Sequence, residues 1–452
     1  MMRSLYSGVT GLRNQQVKMD VIGNNIANVG TAGFKKSRVV FSDKLYQANR
    51  GASAPSDTKG GTNPMSVGLG TALFSIDQIH TPYAASMTNR LTDMALDGDG
   101  YFIVKQSGGS TVYTRSGAFV IDEYNNLVTV NGEFVQGWLA DEDGNFNTNP
   151  TRMENINITA YQNMAPKATT EMIMEGNLSS ALEAQAAGFN MATDAPDDEN
   201  VVIILKDFYD SLGNKNSLSY RFFKTGPDTW ACDLSLDPTF PDNGGTGYTA
   251  VTPPAAAAFT SAGGETFRIE NIIFGTDGKI DPTVAGAVTS INVTYDNTAV
   301  SGADIVNFSI NLEDILQYNS QSNIDVGRQN GNSAGILTSR NVGADGIMLG
   351  TYDNGFSRPM FQVAIASFKN AEGLQQIGNS SWQESANSGD PQIGIPGSGS
   401  RGAIMPGYLE MSNVDLAEEF TEMIVTQRGF SANSRIITVS DEMLQELVNI
   451  KR

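Results

Sequence analysis

The sequence predicts a mixed fold: a coiled-coil pair of terminal α-helices plus mainly β nested domains. The inner β domain is expected from two segments, with an outer β domain inserted between them. Three observations predict this. Heptad-spaced apolar residues run along both termini, short β-prone runs separated by Gly, Asn and Asp fill the interior, and the β texture changes near residues 165 and 334.

The N-terminal seam is Leu5, Val9, Leu12, Gln16, Met19, Gly23 and Ile26, of which five are apolar. Its alternating steps of four and three give the roughly 3.5-residue period of a coiled coil. Asn28-Val29-Gly30 supplies helix-stop chemistry, and Thr31-Ala32-Gly33-Phe34-Lys35-Lys36 bends the chain and presents an aromatic ring and two cations. Residues 1–44 are therefore read as the first half of an inner core. Residues 45–71, rich in Gly, Ser, Pro and Asn without apolar periodicity, read as a linker or arm.

From 72 to 164 the runs Tyr101–Val104, Val112–Thr114, Ala118–Ile121, Leu127–Val130 and Phe134–Leu139 predict a compact antiparallel sheet, the first segment of the inner β domain. Residues 165–333 form the inserted outer β domain. Val201–Leu205 and Leu218–Phe223 are its strand candidates, with turns at Asp210–Asn214 and Thr276–Lys279, and 241–258 reads as an exposed Gly/Thr/Pro/Ala loop. Residues 334–408 return to the inner domain through Gly346–Leu349 and Phe361–Phe368.

The C-terminal seam, within 409–452, is Leu416, Phe420, Met423, Gln427, Phe430, Ser434, Ile437, Asp441, Leu444 and Val448, seven of ten apolar. Ser412 with Asp415 reads as a capping box that starts the helix. Two such helices cannot satisfy their stripes alone; they bury them against each other or against other copies of the chain, or each covers a nearby globular core. Charge favours the two ends meeting: residues 1–50 carry a net +6 and residues 409–452 a net −4.

The totals exclude several function classes. A net charge of −20 argues against nucleic acid as a partner and suits a protein that stays soluble before assembling. One cysteine (Cys232) and one histidine (His80) exclude an intrachain disulfide, a cysteine zinc site and a multi-histidine metal site, and are compatible with life outside the cytoplasm. No apolar run reaches the ~18 residues of a membrane span, and residues 1–30 show no cleavable secretory signal, so no membrane insertion is expected. Asp97-Gly98-Asp99-Gly100 and Asp141–Asn145 look like starts of calcium loops, but the twelfth positions are Gly108 and Arg152, so both read as acidic turns. Gly98-x-Gly100 lacks a third glycine, Ser116-Gly117 is not a nucleophile elbow, and His80 has no His or Cys partner and reads as a loop or strand-edge residue. Cys232 beside Trp230 reads as a small core residue, the alternative being an intersubunit crosslink. No constellation supports an enzyme, and no metal or cofactor is expected, a carboxylate site being the one metal site that the composition leaves open.

The chain resembles the rod and hook family of bacterial flagellar axial proteins, the hook members most. At the N-terminus the resemblance rests on Met19–Asn28, including Asn24, Asn25, Ala27 and Asn28, followed by Thr31, Gly33, Phe34 and Lys35. In the sheet it rests on Leu96–Phe102, Thr114–Phe119, Gln136-Gly137-Trp138 and Phe368-Lys369-Asn370 through Gly373-Leu374 to Asn379 and Trp382. At the C-terminus it rests on Ser412–Leu416, Met423-Ile424-Val425, Gln427-Arg428 and Asp441–Leu444. It covers residues 1–160 and 335–452. The middle is looser, carried by Phe208–Gly213 and Phe223–Gly226; Phe430 stands where Tyr is common and Asn126 where Gly is common.

The resemblance implies a structural polymer: a curved, flexible tube that joins rod to filament and transmits motor torque. Its terminal helices would pair around a central channel, with the insertion outermost. It also implies export through the flagellar apparatus without a cleaved signal, and contact with rod proteins, a hook cap and hook–filament junction proteins. A distal rod protein, which would not need residues 165–333, and a secreted β-rich adhesin are the alternatives.

Overall fold

The computed structural model describes residues 2–52, 54–55, 60–141, 143–185, 200–237, 249–251, 256–260 and 265–450. The chain divides into two units, one of residues 1–160, 340–350 and 358–452 and the other of residues 161–339 and 351–357.

The first unit holds both long helices, Met2–Ala27 and Leu416–Ile450. Its sheet is built on the hairpin of Tyr101–Lys105 with Thr111–Thr114, where the β-prone runs predict strands. Strand Phe134–Leu139 pairs with this hairpin through Phe134 and Val135 and, farther along, with residues 361–363, Gly137 opposite Val363. The late segment thus completes a sheet begun more than two hundred residues earlier. Residues 361–368, expected as one run, are two strands broken at Ala364. Up to Val363 the run faces Phe134–Leu139, and from Ile365 it faces Phe102, so it changes partner at the break. Alternation sorts the faces: Tyr101, Ile103, Tyr113, Trp138, Ala364, Ala366 and Trp382 fill one core, while Phe102 meets Phe119 edge-on at 5.1 Å on the other side.

Residues 45–71 correct the sequence reading. Strand Tyr46–Arg50 pairs antiparallel with Met65–Gly68, and Ser37–Asp43 with Thr71–Gln78. Lys44 N–H to Gly70 O (2.8 Å) and Leu69 N–H to Leu45 O (3.2 Å) continue one hairpin into the other. Every residue of Tyr46–Arg50 and Met65–Gly68 is exposed, so this stretch has no inward face and its sequence carries no alternation to read.

Among the described residues the second unit has two five-stranded sheets. In one, Glu171–Ser179 runs parallel to Val306–Tyr318; in the other, Val201–Tyr209, Lys215–Lys224, Thr229–Ser235 and Thr266–Ile273 form an antiparallel run. Met172, Phe208, Tyr220, Phe222, Trp230, Cys232, Ile269, Ile310 and Phe308 belong to one continuous core. The predicted turn at Asp210–Asn214 forms because the Asp210 carboxylate accepts the backbone N–H groups of Leu212 (3.0 Å) and Asn214 (2.8 Å). The predicted loop at 241–258 is corrected where it is described. Thr249–Val251 and Ala256–Thr260 are strands, the second parallel to Ser290–Asp296 with Ala257 and Phe259 turned inward. Alanine-rich composition hid an edge strand whose stability comes from its neighbour. The remainder of that stretch lies outside the described residues.

Asp233, fully buried, accepts from Arg268 Nε at 2.6 Å and also pairs with Arg221, while Arg268 lies 4.7 Å from the centre of the Phe223 ring. Cys232 is free and fully buried, and burial pushes its thiol well above the ordinary range. Cys232 is expected to resist alkylation by a thiol reagent in native buffer and to react within minutes in denaturant. Rapid native labelling, counted by mass spectrometry, would contradict this placement.

Candidate assembly site

The two terminal helices run antiparallel and in contact, Gly8 beside Asn433 and Ile437 and Asn25 beside Glu419. The contact line on the first helix is Gly8, Gly11, Gln15, Lys18, Ile22 and Asn25. On the second it is Glu419, Glu422, Thr426, Gly429, Asn433, Ile436 and Ser440. Both have heptad spacing, and both lie one position before the predicted seams. A Cβ at Gly11 would stand 2.6 Å from Asn433 Nδ2, and one at Gly429 would stand 3.0 Å from Gln15 Nε2, so each glycine leaves room for a polar side chain of the other helix. Lys18 Nζ–Glu422 Oε2 at 3.0 Å joins the opposite charges of the two ends.

As intrachain contacts the predicted seams are therefore corrected, except at Ile437, which meets Gly8. Val9 is 46% exposed, Leu416 39%, Phe420 50% and Phe430 39%. Leu5, Leu12, Met19, Ile26, Met423 and Leu444 are half-buried along the flanks, Ile437 is half-buried against Gly8, and the side chain of Val448 lies outside the described residues. Exposed Tyr6, Ile424, Val425, Val439 and Met443 extend the apolar surface. Small and polar residues predominate along the contact line, and most of the bulkier apolar chains lie to either side of it. Sequence reading missed this stripe. Its signal was Gly8-x-x-Gly11, two glycines inside a helix that each cost about 1 kcal/mol unless close packing needs them.

The signature residues build the joint between helices and sheet. Asn25 donates to Ser37 O (2.9 Å) and Glu419 Oε1 (3.2 Å) and accepts from Ser37 N–H (3.0 Å), tying the first helix to the strand that follows and to the second helix. Asn28 donates to Asn24 Oδ1 (2.7 Å) and accepts from Thr31 Oγ1 (3.2 Å), shaping the turn after the last helical residue, Ala27. Gly33 has φ +69° and donates its N–H to Glu410 O (2.8 Å); a Cβ there would stand 2.8 Å from Ser116 N. Phe34 is buried.

Lys35 is buried beside Glu410. Its Nζ donates to Glu410 Oε1 (2.6 Å) and Thr81 O (2.8 Å), Arg115 donates to Glu410 Oε2 (3.3 Å), and Tyr83 N–H donates to Glu410 Oε1 (3.2 Å). Burial lowers the Lys35 ammonium below its ordinary value and Glu410 pulls it back. Lys36 N–H donates to Asn413 Oδ1 (2.7 Å), and Asn413 donates to Ile79 O (2.8 Å). This corrects the capping box. Residues 412–414 are buried in the joint, and Asp415 itself caps the helix, accepting from Ala417 N–H (2.8 Å) and Glu418 N–H (3.3 Å).

A helix pair with uncovered apolar flanks, joined to a β unit by an ionic knot, is the layout of a flagellar axial subunit. The family comparisons agree. Residues 5–35 match the flagella basal body rod protein family and 405–450 the flagellar basal body rod FlgEFG protein C-terminal family. Residues 95–173 match the flagellar hook protein FlgE/F/G D1 domain and 177–332 the flagellar basal body protein FlaE D2 domain. The flagellar hook protein FlgE of Borreliella burgdorferi is 38% identical and that of Treponema pallidum 36%, each alignment covering 100% of both chains. The flagellar basal-body rod protein FlgG of Bacillus subtilis is 32% identical, again over 100% of both. The chain belongs to the flagellar hook protein family, as a structural subunit of the bacterial flagellum.

Glu410→Gln removes the carboxylate that the buried Lys35 and Arg115 share, and is expected to lower stability by about 3–5 kcal/mol. Lys36→Gln breaks the outer Lys36–Glu418 pair and is expected to cost less than about 1 kcal/mol. Urea unfolding of both variants checks the contrast; equal losses would refute the central place of Glu410.

Proposed function

We propose that this hook subunit polymerises through the apolar flanks of its terminal helix pair, each pair packing on pairs from neighbouring copies to form the innermost layer of a curved, flexible tube. The observation that carries this is the uncovered apolar surface. Val9, Phe420, Ile424, Val425, Phe430 and Val439 stay exposed although the helices are already in contact. A single chain in water rarely leaves so many large apolar side chains exposed along one pair of helices, and burial against further copies would stabilise them by about 25 cal/mol per Å². Lining of a shallow hollow of about 310 Å³ by Ser4, Ile436, Val439 and Met443 adds a recess for a neighbour's side chain.

The tube joins rod to filament and transmits motor torque, and it meets rod proteins, a hook cap and junction proteins. The subunit reaches it through the flagellar export apparatus without a cleaved signal. The division expected from the sequence, with 165–333 as an outward-facing insertion, belongs to the same proposal.

Leu416→Asp or Phe420→Asp is expected to abolish polymerisation, seen by electron microscopy, while near-ultraviolet circular dichroism of the β units stays unchanged. A variant that still forms hooks would refute the assembly site. Deletion of the gene separates the rod reading: a complete rod without hook supports the hook subunit, and a truncated rod supports a distal rod protein.

A further inference from the structure

The joint contains the one histidine of the chain. His80 follows strand Thr71–Gln78, and its Nδ1 shares a 2.7 Å hydrogen bond with the Tyr101 hydroxyl. Its ring meets Trp382 edge-on at 5.5 Å and Tyr101 at 6.0 Å, and Trp382 is held in place by donating Nε1–H to Gln78 Oε1 at 2.8 Å. Nε2 is enclosed and has no hydrogen-bond partner among the described residues. The next residue, Thr81, carries the carbonyl that accepts from Lys35 Nζ.

The charges that act on the ring itself are both cationic: Lys35, on the segment after the first helix, and Arg115, just after strand Thr111–Thr114, the latter 5.2 Å from the centre of the Tyr101 ring. Glu410, from strand Tyr408–Glu410, already accepts from Lys35, Arg115 and Tyr83 N–H, while Asp99 acts on Lys35 and Tyr101. A proton on the imidazole would place a third cation in this cluster, with an Nε2–H that has no acceptor.

We propose that His80 is an acid-release element of the joint: its protonation opens the Lys35–Glu410–Arg115 knot and frees the helix-bearing segments before the sheet unfolds. This switch operates within one chain and needs no polymer.

Burial first, then Lys35 and Arg115, push the His80 imidazole down to about 4 from an ordinary 6.5. A lowered histidine stabilises the closed joint at high pH. The released state binds the proton first, so closure weakens as pH falls from 6.5 towards 4 and weakens no further below that. A change of this size alters the opening equilibrium on the order of a hundredfold.

Hydrogen exchange of the full chain, followed by mass spectrometry from about pH 7 to pH 3 and corrected for intrinsic rates, reads the release. Residues 28–44 and 405–415 are expected to lose protection together near pH 4, with residues 101–114 still protected. His80→Gln is expected to lower that midpoint by about half a pH unit or more. Release of the variant at the unchanged pH would overturn the proposal. Because there is one histidine, its ring resonance needs no assignment, and it decides the matter if the variant does not fold. A folded-state titration that coincides with the exchange midpoint supports the switch, and one near 6.5 sinks it.

Discussion

One buried carboxylate holds the first unit together. Glu410 sits just before the C-terminal helix and accepts from Lys35, just after the N-terminal helix, and from Arg115 in the sheet. Three segments far apart in sequence thus share one charge centre. Desolvating two cations and a carboxylate is costly, and only tight geometry with further hydrogen bonds to Thr81 O and Tyr83 N–H offsets it. Much of the signature around it follows from this requirement. Gly33 must bring its backbone against Ser116, Asn413 must pin the strand-to-helix passage, and Asn25 must close the gap between helix and strand.

The helices beyond the knot divide their surface between two tasks. Contact within the chain uses Gly8, Gly11, Gly429, Asn433, Thr426 and the Lys18–Glu422 pair, a close but mostly polar packing. Apolar side chains stay on the flanks. Had Val9 and Phe420 met each other inside one chain, the stripe would be satisfied and nothing would drive association of copies. On the proposed assembly, the mostly polar intrachain contact and the apolar flanks would couple folding of the helix pair to association of copies.

Much of the β architecture was legible. The strands at Tyr101–Lys105, Phe134–Leu139 and Lys215–Lys224 follow from β-branched and aromatic residues in short runs, and the Asp210–Asn214 turn from a carboxylate that captures its own backbone. Less legible were elements whose reason lies in a distant partner. The exposed hairpin of Tyr46–Arg50 with Met65–Gly68 buries no side chain, and Ala256–Thr260 is a strand because Ser290–Asp296 offers it an edge. The split at Ala364 depends on two strands from the other end of the chain.

The candidate site shows the same division. Heptad spacing by itself determined that both termini are helices with an apolar stripe, and their opposite net charges determined that they attract. Only the tertiary structure decided which stripe each helix spends on the other, one position earlier than hydrophobicity indicates. Hydrophobic periodicity records which residues avoid water, whereas the contact face is set by which residues leave room for the side chains of the other helix. Here these are glycines and polar side chains that a count of apolar residues passes over.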